Sequence, residues 1–178
     1  MRLPDQLTLA RIAAVPLVVV LYEWDFPNHD TWATVAFVVA MATDFFDGRI
    51  ARSRGHTSPL GSLLDPMADK ILVLAVLIVL VDRGIFAGWM VVAIVARELL
   101  ISGLRLAALE RGVVLHARDL GKLKTWAQAA AAAVGGAAAA GAWSHDVAWW
   151  TLLVALVLTW VSGLDYARIA PRVLRGAA

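Results

Sequence analysis

The 178-residue chain contains no cysteine. That excludes a disulfide framework, a thiolate metal site and a cysteine nucleophile, so any metal must be bound through oxygen or imidazole. Charge is also scarce: 17% of residues are Asp, Glu, Lys or Arg, against 61% hydrophobic, and the mean hydropathy is +0.73. A soluble domain of this size could not carry so much apolar surface in water, which places the chain in the membrane class. A cleavable leader pattern is missing too: the first long apolar stretch, Ile12 to Tyr22, has no A-x-A-like site after it and is expected to be a retained span. No repeat of roughly 20–50 residues is visible, and residues 1–178 are expected to form a single transmembrane domain. The net charge of +2 is not gathered into one polar stripe, which argues against nucleic acid as a partner.

What is present is a succession of apolar runs. A hydrocarbon core about 30 Å thick needs roughly 20 helical residues to cross it. The sequence divides into six such stretches, at roughly 7–24, 31–53, 62–82, 86–108, 124–142 and 147–167. Three of the connections, around Glu23–Asp30, Asp82–Gly84 and Ser144–Asp146, carry a single basic residue, Arg83. The remaining Arg and Lys residues collect on the other side, from Arg2 and Arg11 through Arg49, Arg52, Arg54 and Lys70 to Arg168, Arg172 and Arg175. By the positive-inside rule that side is cytoplasmic. The expected fold is therefore an all-α membrane protein of six transmembrane helices with both termini cytoplasmic. Trp24, Trp32, Trp89, Trp143, Trp149 and Trp150 lie beside the three outer turns, where amphipathic rings settle at headgroup level. The run Ala127 to Ala142 is nearly all Ala and Gly, as suits a helix whose neighbours approach closely.

An ionisable residue within a membrane segment costs about 2.5–3.5 kcal/mol and marks a candidate functional site. Asp44 and Asp47 are three residues apart near the inner end of the second span, and Asp65 and Asp69 are four apart at the inner start of the third. Both spacings put the two members of a pair on one helical face. The short loop between the two helices predicts antiparallel neighbours with the pairs at similar depth, which places the active site at the cytoplasmic end of the bundle. Four carboxylates held together repel one another unless something positive sits among them. Hard cations such as Mg²⁺ or Mn²⁺ prefer such all-oxygen sites, and two of them about 3.5–4 Å apart can neutralise a pyrophosphate. Gly48 and Ala51 remove bulk beside these aspartates, where an extended group must approach the helix. The bland alternatives are solvated aspartates, pairing with Arg49, Arg52 or Lys70, or helix capping by Asp65.

The residues Asp44, Asp47, Gly48, Ala51, Arg52, Gly61, Asp65 and Asp69 follow D-x2-D-G-x2-A-R-x8-G-x3-D-x3-D. In this the chain resembles the CDP-alcohol phosphatidyltransferases, at every position and spacing of their signature. Leu7-Thr8-x2-Arg11 is similar to the family's N-terminal segment, with Asp5 where many members have Asn. Within the family, Val95-Ala96-Arg97-Glu98, Ile101-Ser102-Gly103-Leu104-Arg105 and Gly121-Lys122-Leu123-Lys124-Thr125 look like the bacterial phosphatidylglycerophosphate synthases. The resemblance implies transfer of a phosphatidyl group from CDP-diacylglycerol to glycerol 3-phosphate, in a homodimer embedded among the lipids of the bacterial cytoplasmic membrane. It implies that Asp44, Asp47 and Asp65 bind two metals and that Asp69, also near metal, is the general base. Gly48, Ala51, Arg52 and Gly61 would then surround the CDP moiety, and Thr8 and Arg11 would be site contacts from the N-terminal segment.

A carboxylate within hydrogen-bond reach of the acceptor hydroxyl suits that role, and metals stabilise the phosphoryl oxygens. An acceptor phosphate needs basic partners at the same depth. Arg97, Arg105, Lys122 and Lys124 are the candidates, with Arg97 foremost because it lies furthest into an apolar segment and its guanidinium can grip phosphate in bidentate fashion. An ion pair of Arg97 with Glu98 is the alternative for that residue. For the whole protein the alternatives are the same chemistry on inositol phosphate, serine or a phospholipid, or a six-span cation channel or transporter using the aspartates as a pathway.

Overall fold

Where no water reaches the backbone, an apolar run must satisfy its own N–H and C=O groups, and the helix does so within one segment. The structure is a computed structural model that describes the backbone of residues 3–53, 59–110 and 119–174 and the side chains of residues 12–43, 70–108, 110 and 121–164. The described residues form six helices: α1 (Leu3–Glu23), α2 (His29–Ser53), α3 (Pro59–Asp82), α4 (Gly88–Glu110), α5 (Asp119–Ala139) and α6 (His145–Leu174). No strand occurs among the described residues. Each helix overlaps one of the six predicted stretches, with ends that differ by up to seven residues. α5 begins five residues before the apolar run and α6 continues seven beyond it, because hydropathy marks the slab that residues cross whereas the hydrogen-bond ladder runs on into the polar flanks.

The three connections expected on the outer side each turn on a residue with positive φ: Asn28 at 60°, Gly84 at 70° and Gly141 at 74°. At Gly84 the backbone donates to Val81 O while Ile85 donates to Leu80 O. Gly141 and Ala142 repeat the pattern on Ala138 O and Ala137 O. Both are Schellman closures, which satisfy the last carbonyls of α3 and α5 through a left-handed residue that glycine adopts without strain. Ser144 caps α6 from the position just before it, its hydroxyl accepting from the Val147 amide at 3.4 Å.

The helices pack as a ring in the order α1, α2, α5, α6, α4, α3, with a further contact between α3 and α5 across it. Tyr22, Phe37, Leu72, Leu77, Met90 and Leu152 are among the fully buried side chains at its centre. α2 and α3 are in contact, as expected of helices joined by a short loop, and among the described residues both also pack on α1 and on α5. The Ala/Gly-rich run behaves as expected. Positions 135 and 136 of α5 face Phe86 and Leu80 on one side and Tyr22 and Thr34 on the other, closer than a side chain would permit.

Among the described residues one stretch, His145–Leu164, is both long and apolar enough to cross a membrane, and Ile12–Glu23 is a shorter apolar helix. Charged residues, Lys70, Arg97, Glu98, Arg105, Lys122 and Lys124 among them, interrupt the apolar windows of α3, α4 and α5. Trp24, Trp32, Trp89, Trp143 and Trp150 expose their rings beside these three turns, while Trp149 is half-buried with its ring edge-on to Trp150. Arg83, the one basic residue of those turns, is drawn inward: its Nη1 lies 3.0 Å from Asp30 Oδ1, and its Nη2 donates to the Tyr22 carbonyl.

Candidate active site

Arg97 and Glu98 stand next to each other in α4 and are each only 3% exposed. Two adjacent ionised groups inside an apolar helix are tolerated only if paired or hydrogen-bonded, and the folded chain supplies partners from three other helices. Arg97 Nη1 donates to Glu98 Oε1 at 3.2 Å. Lys124, 6% exposed on α5, donates its ammonium to the same oxygen. Lys70 of α3 lies 3.5 Å from Glu98 Oε2 and donates to Ser102 Oγ at 2.9 Å. One carboxylate is thus faced by three cations.

A second layer comes from α5 and α6. Arg97 Nη2 donates to Ser162 Oγ at 2.7 Å, and Ser162 Oγ donates to the Thr159 carbonyl at 2.9 Å. Gln128 Nε2 donates to Thr159 Oγ1 at 2.8 Å and reaches Glu98 Oε1 at 3.4 Å. The contacts run from Glu98 through Gln128, Thr159, Ser162 and Arg97 back to Glu98. Gly163 leaves room for this, since a Cβ there would stand 3.1 Å from Arg97 Nε.

Of the four expected phosphate-binding cations, the structure brings Arg97 and Lys124 together on Glu98. The ion pair of Arg97 with Glu98, weighed as an alternative, is present. Arg105 is half-buried, seven residues beyond Glu98 and so on the same face of α4, whereas Lys122 is exposed near the start of α5. Asp44, Asp47, Gly48, Ala51 and Arg52 fall on the last turns of α2, Gly61, Asp65 and Asp69 on the first turns of α3, and Thr8 and Arg11 on α1; their side chains lie outside the described residues. Both aspartate pairs are nonetheless in unbroken helix, so their spacings of three and four do correspond to one helical face each. Lys70 follows Asp69 directly, which ties the cation cluster to the helix end that carries the aspartates. Among the described residues no three His, Asp or Glu side chains gather as a metal site.

Lys70, Gln128, Thr159 and Ser162 were not singled out as site residues in the sequence. The available signal was polarity in an apolar run: Gln128 is the one amide in the Ala-rich stretch, and Thr159 and Ser162 interrupt the last span.

The family model for CDP-alcohol phosphatidyltransferase matches residues 1–161. The chain belongs to this family. It is 39% identical over 138 residues to a CDP-diacylglycerol–glycerol-3-phosphate 3-phosphatidyltransferase of Bacillus subtilis, covering 71% of this chain and 72% of that one. It is 37% identical over 177 residues to a Mycobacterium tuberculosis protein named "Probable phosphatidylglycerophosphate synthase", covering 98% and 84%. A Rickettsia typhi protein with the same name as the Bacillus one is 35% identical over 167 residues, covering 92% and 94%. As a CDP-alcohol phosphatidyltransferase the chain is an enzyme that transfers phosphatidyl groups, and the alternative of a cation channel or transporter falls away.

Proposed function

We propose that this CDP-alcohol phosphatidyltransferase moves the phosphatidyl group of CDP-diacylglycerol to glycerol 3-phosphate, giving phosphatidylglycerophosphate and CMP. It does so as a six-span homodimer of the bacterial cytoplasmic membrane, with both termini and the active site on the cytoplasmic side. The observation that carries this reading is the convergence of Lys70, Arg97 and Lys124 at the end of the bundle where α3 bears Asp65 and Asp69. Cations beside carboxylates suit a reaction that brings a phosphorylated acceptor to a pyrophosphate donor. The relatives' names support the same pair of substrates.

Asp44, Asp47, Asp65 and Asp69 form an all-oxygen donor set that fits Mg²⁺ or Mn²⁺, two per site. The five residues between Ser53 and Pro59 keep the two helix ends within about 21 Å of each other. When bound, the metals supply positive charge for the pyrophosphate oxygens. The remaining chemistry falls to the chain. Arg52, with Gly48, Ala51 and Gly61 leaving space, seats the CDP moiety beside α2 and α3, and Thr8 and Arg11 close the site from α1. Arg97 and Lys124, with Arg105 and Lys122 nearby in sequence, hold the acceptor's phosphate and so orient its free hydroxyl. Asp69 takes the hydroxyl proton as the oxygen attacks the phosphorus attached to diacylglycerol. The bond from that phosphorus to the bridging oxygen breaks, and CMP leaves with the electron pair. No covalent lipid–enzyme intermediate is needed.

Purified enzyme given CDP-diacylglycerol and Mg²⁺ is expected to release CMP with glycerol 3-phosphate and to stay silent with serine or inositol phosphate. Turnover with inositol phosphate alone would overturn the choice of acceptor.

A further inference from the structure

The proposed acceptor site explains why Arg97 and Lys124 are present but not why a carboxylate is buried between them. If Glu98 served only to neutralise a charge in the bundle, one cation would suffice, and each further ion taken from water costs desolvation energy. Three cations from α3, α4 and α5 meet it instead. They would repel one another in this apolar setting if nothing negative stood among them, and the long Lys and Arg chains would spread apart. Glu98 is 3% exposed and fixed in position by the α4 backbone, with Gln128 beside it at 3.4 Å. It therefore sets where the three heads converge. Three cationic heads gathered on one carboxylate present a positive surface that suits a phosphate dianion. Lys70, 28% exposed, forms its solvent side.

We propose that Glu98 is a positioning residue for the acceptor's phosphate, holding Arg97, Lys124 and Lys70 as one socket, with Ser162 fixing the Arg97 guanidinium from α6. This rests on the proposed glycerol 3-phosphate acceptor. Glu98 does not touch the reacting atoms. Its effect passes through the cations, so it belongs to acceptor binding and not to recognition of the nucleotide lipid.

The test uses the full-length enzyme in lipid nanodiscs, with initial rates of CMP release measured against each substrate in turn. Glu98→Gln is expected to raise KM for glycerol 3-phosphate about tenfold or more, with KM for CDP-diacylglycerol changed by less than about twofold, and Glu98→Asp to recover part of the loss. Ser162→Ala, which leaves the ion pairs intact, is expected to move the same constant in the same direction by about threefold. Equal rises in both KM values, or a fall in kcat with neither KM moved, would mark Glu98 as merely structural and overturn the proposal. If Glu98→Gln does not fold, Ser162→Ala decides: an unchanged KM for glycerol 3-phosphate overturns it. Wild-type enzyme that releases no CMP with glycerol 3-phosphate would instead overturn the acceptor assignment, a result read before any variant is made.

Discussion

Asp69 and Lys70 are neighbours in sequence with different tasks. Asp69 is proposed to take a proton from the acceptor hydroxyl, while Lys70 reaches across to Glu98 and Ser102 on α4. Replacing Asp69 with Asn keeps size and hydrogen bonding but removes the basic lone pair that accepts the proton. Asp69→Asn is expected to reduce CMP release by about a hundredfold to ten-thousandfold, the range general-base removal produces, while CDP-diacylglycerol still binds. A radiolabelled lipid binding assay beside the activity assay checks both halves, and normal turnover would remove Asp69 from the base role. The helical register of the four aspartates was legible in sequence because two short spacings, three and four, map directly onto one turn of helix. Glu98 was visible there only as a neighbour of Arg97. Its role depends on Lys124, 26 residues later, and on Lys70 on another helix.

At the scale of the helix, α5 shows how composition becomes packing. Its run of Ala and Gly lets α2, α3 and α6 approach it closely. An added Cβ at Gly135 would stand 2.7 Å from Phe86 Cε2 and 2.8 Å from Leu80 Cδ1, and one at Gly136 would stand 2.5 Å from Tyr22 Oη. Tyr22 Oη and Thr34 Oγ1 are themselves 3.0 Å apart and tie α1 to α2 at this level. Gly136→Ala is therefore expected to destabilise the bundle by about 1–3 kcal/mol through overpacking. Gly103, with nothing within 4 Å of an added Cβ, serves as the control: Gly103→Ala should leave the thermal midpoint in detergent unchanged while Gly136→Ala lowers it. The sequence showed that α5 was built for close approach. It did not say which helices approach, since that is settled by the packing of the whole ring.

For the molecule as a whole, the asymmetry of charge and of tryptophan between the two ends of the bundle argues for one orientation in the membrane. The absence of cysteine makes that orientation directly testable. A single cysteine introduced as Ser144→Cys, in the α5–α6 turn, is expected to react with a membrane-impermeant maleimide in intact cells. One introduced as Glu110→Cys, exposed at the end of α4, is expected to react only after permeabilisation. The opposite pattern would place the active site on the outer side and separate it from a cytoplasmic supply of glycerol 3-phosphate.

The six helices and the aspartate spacings were determined by sequence alone, because both depend on interactions within a few residues: backbone hydrogen bonds one turn apart, and side chains repeating at the helical period. The order of helices around the ring, with α1 and α5 each packed on both α2 and α3, was decided by tertiary structure. So was the cation cluster, in which Arg97 meets Ser162 across 65 residues and Lys70 meets Ser102 across 32. Such pairs form only when packing brings separate helices together and excludes water. Their strength in turn depends on that exclusion.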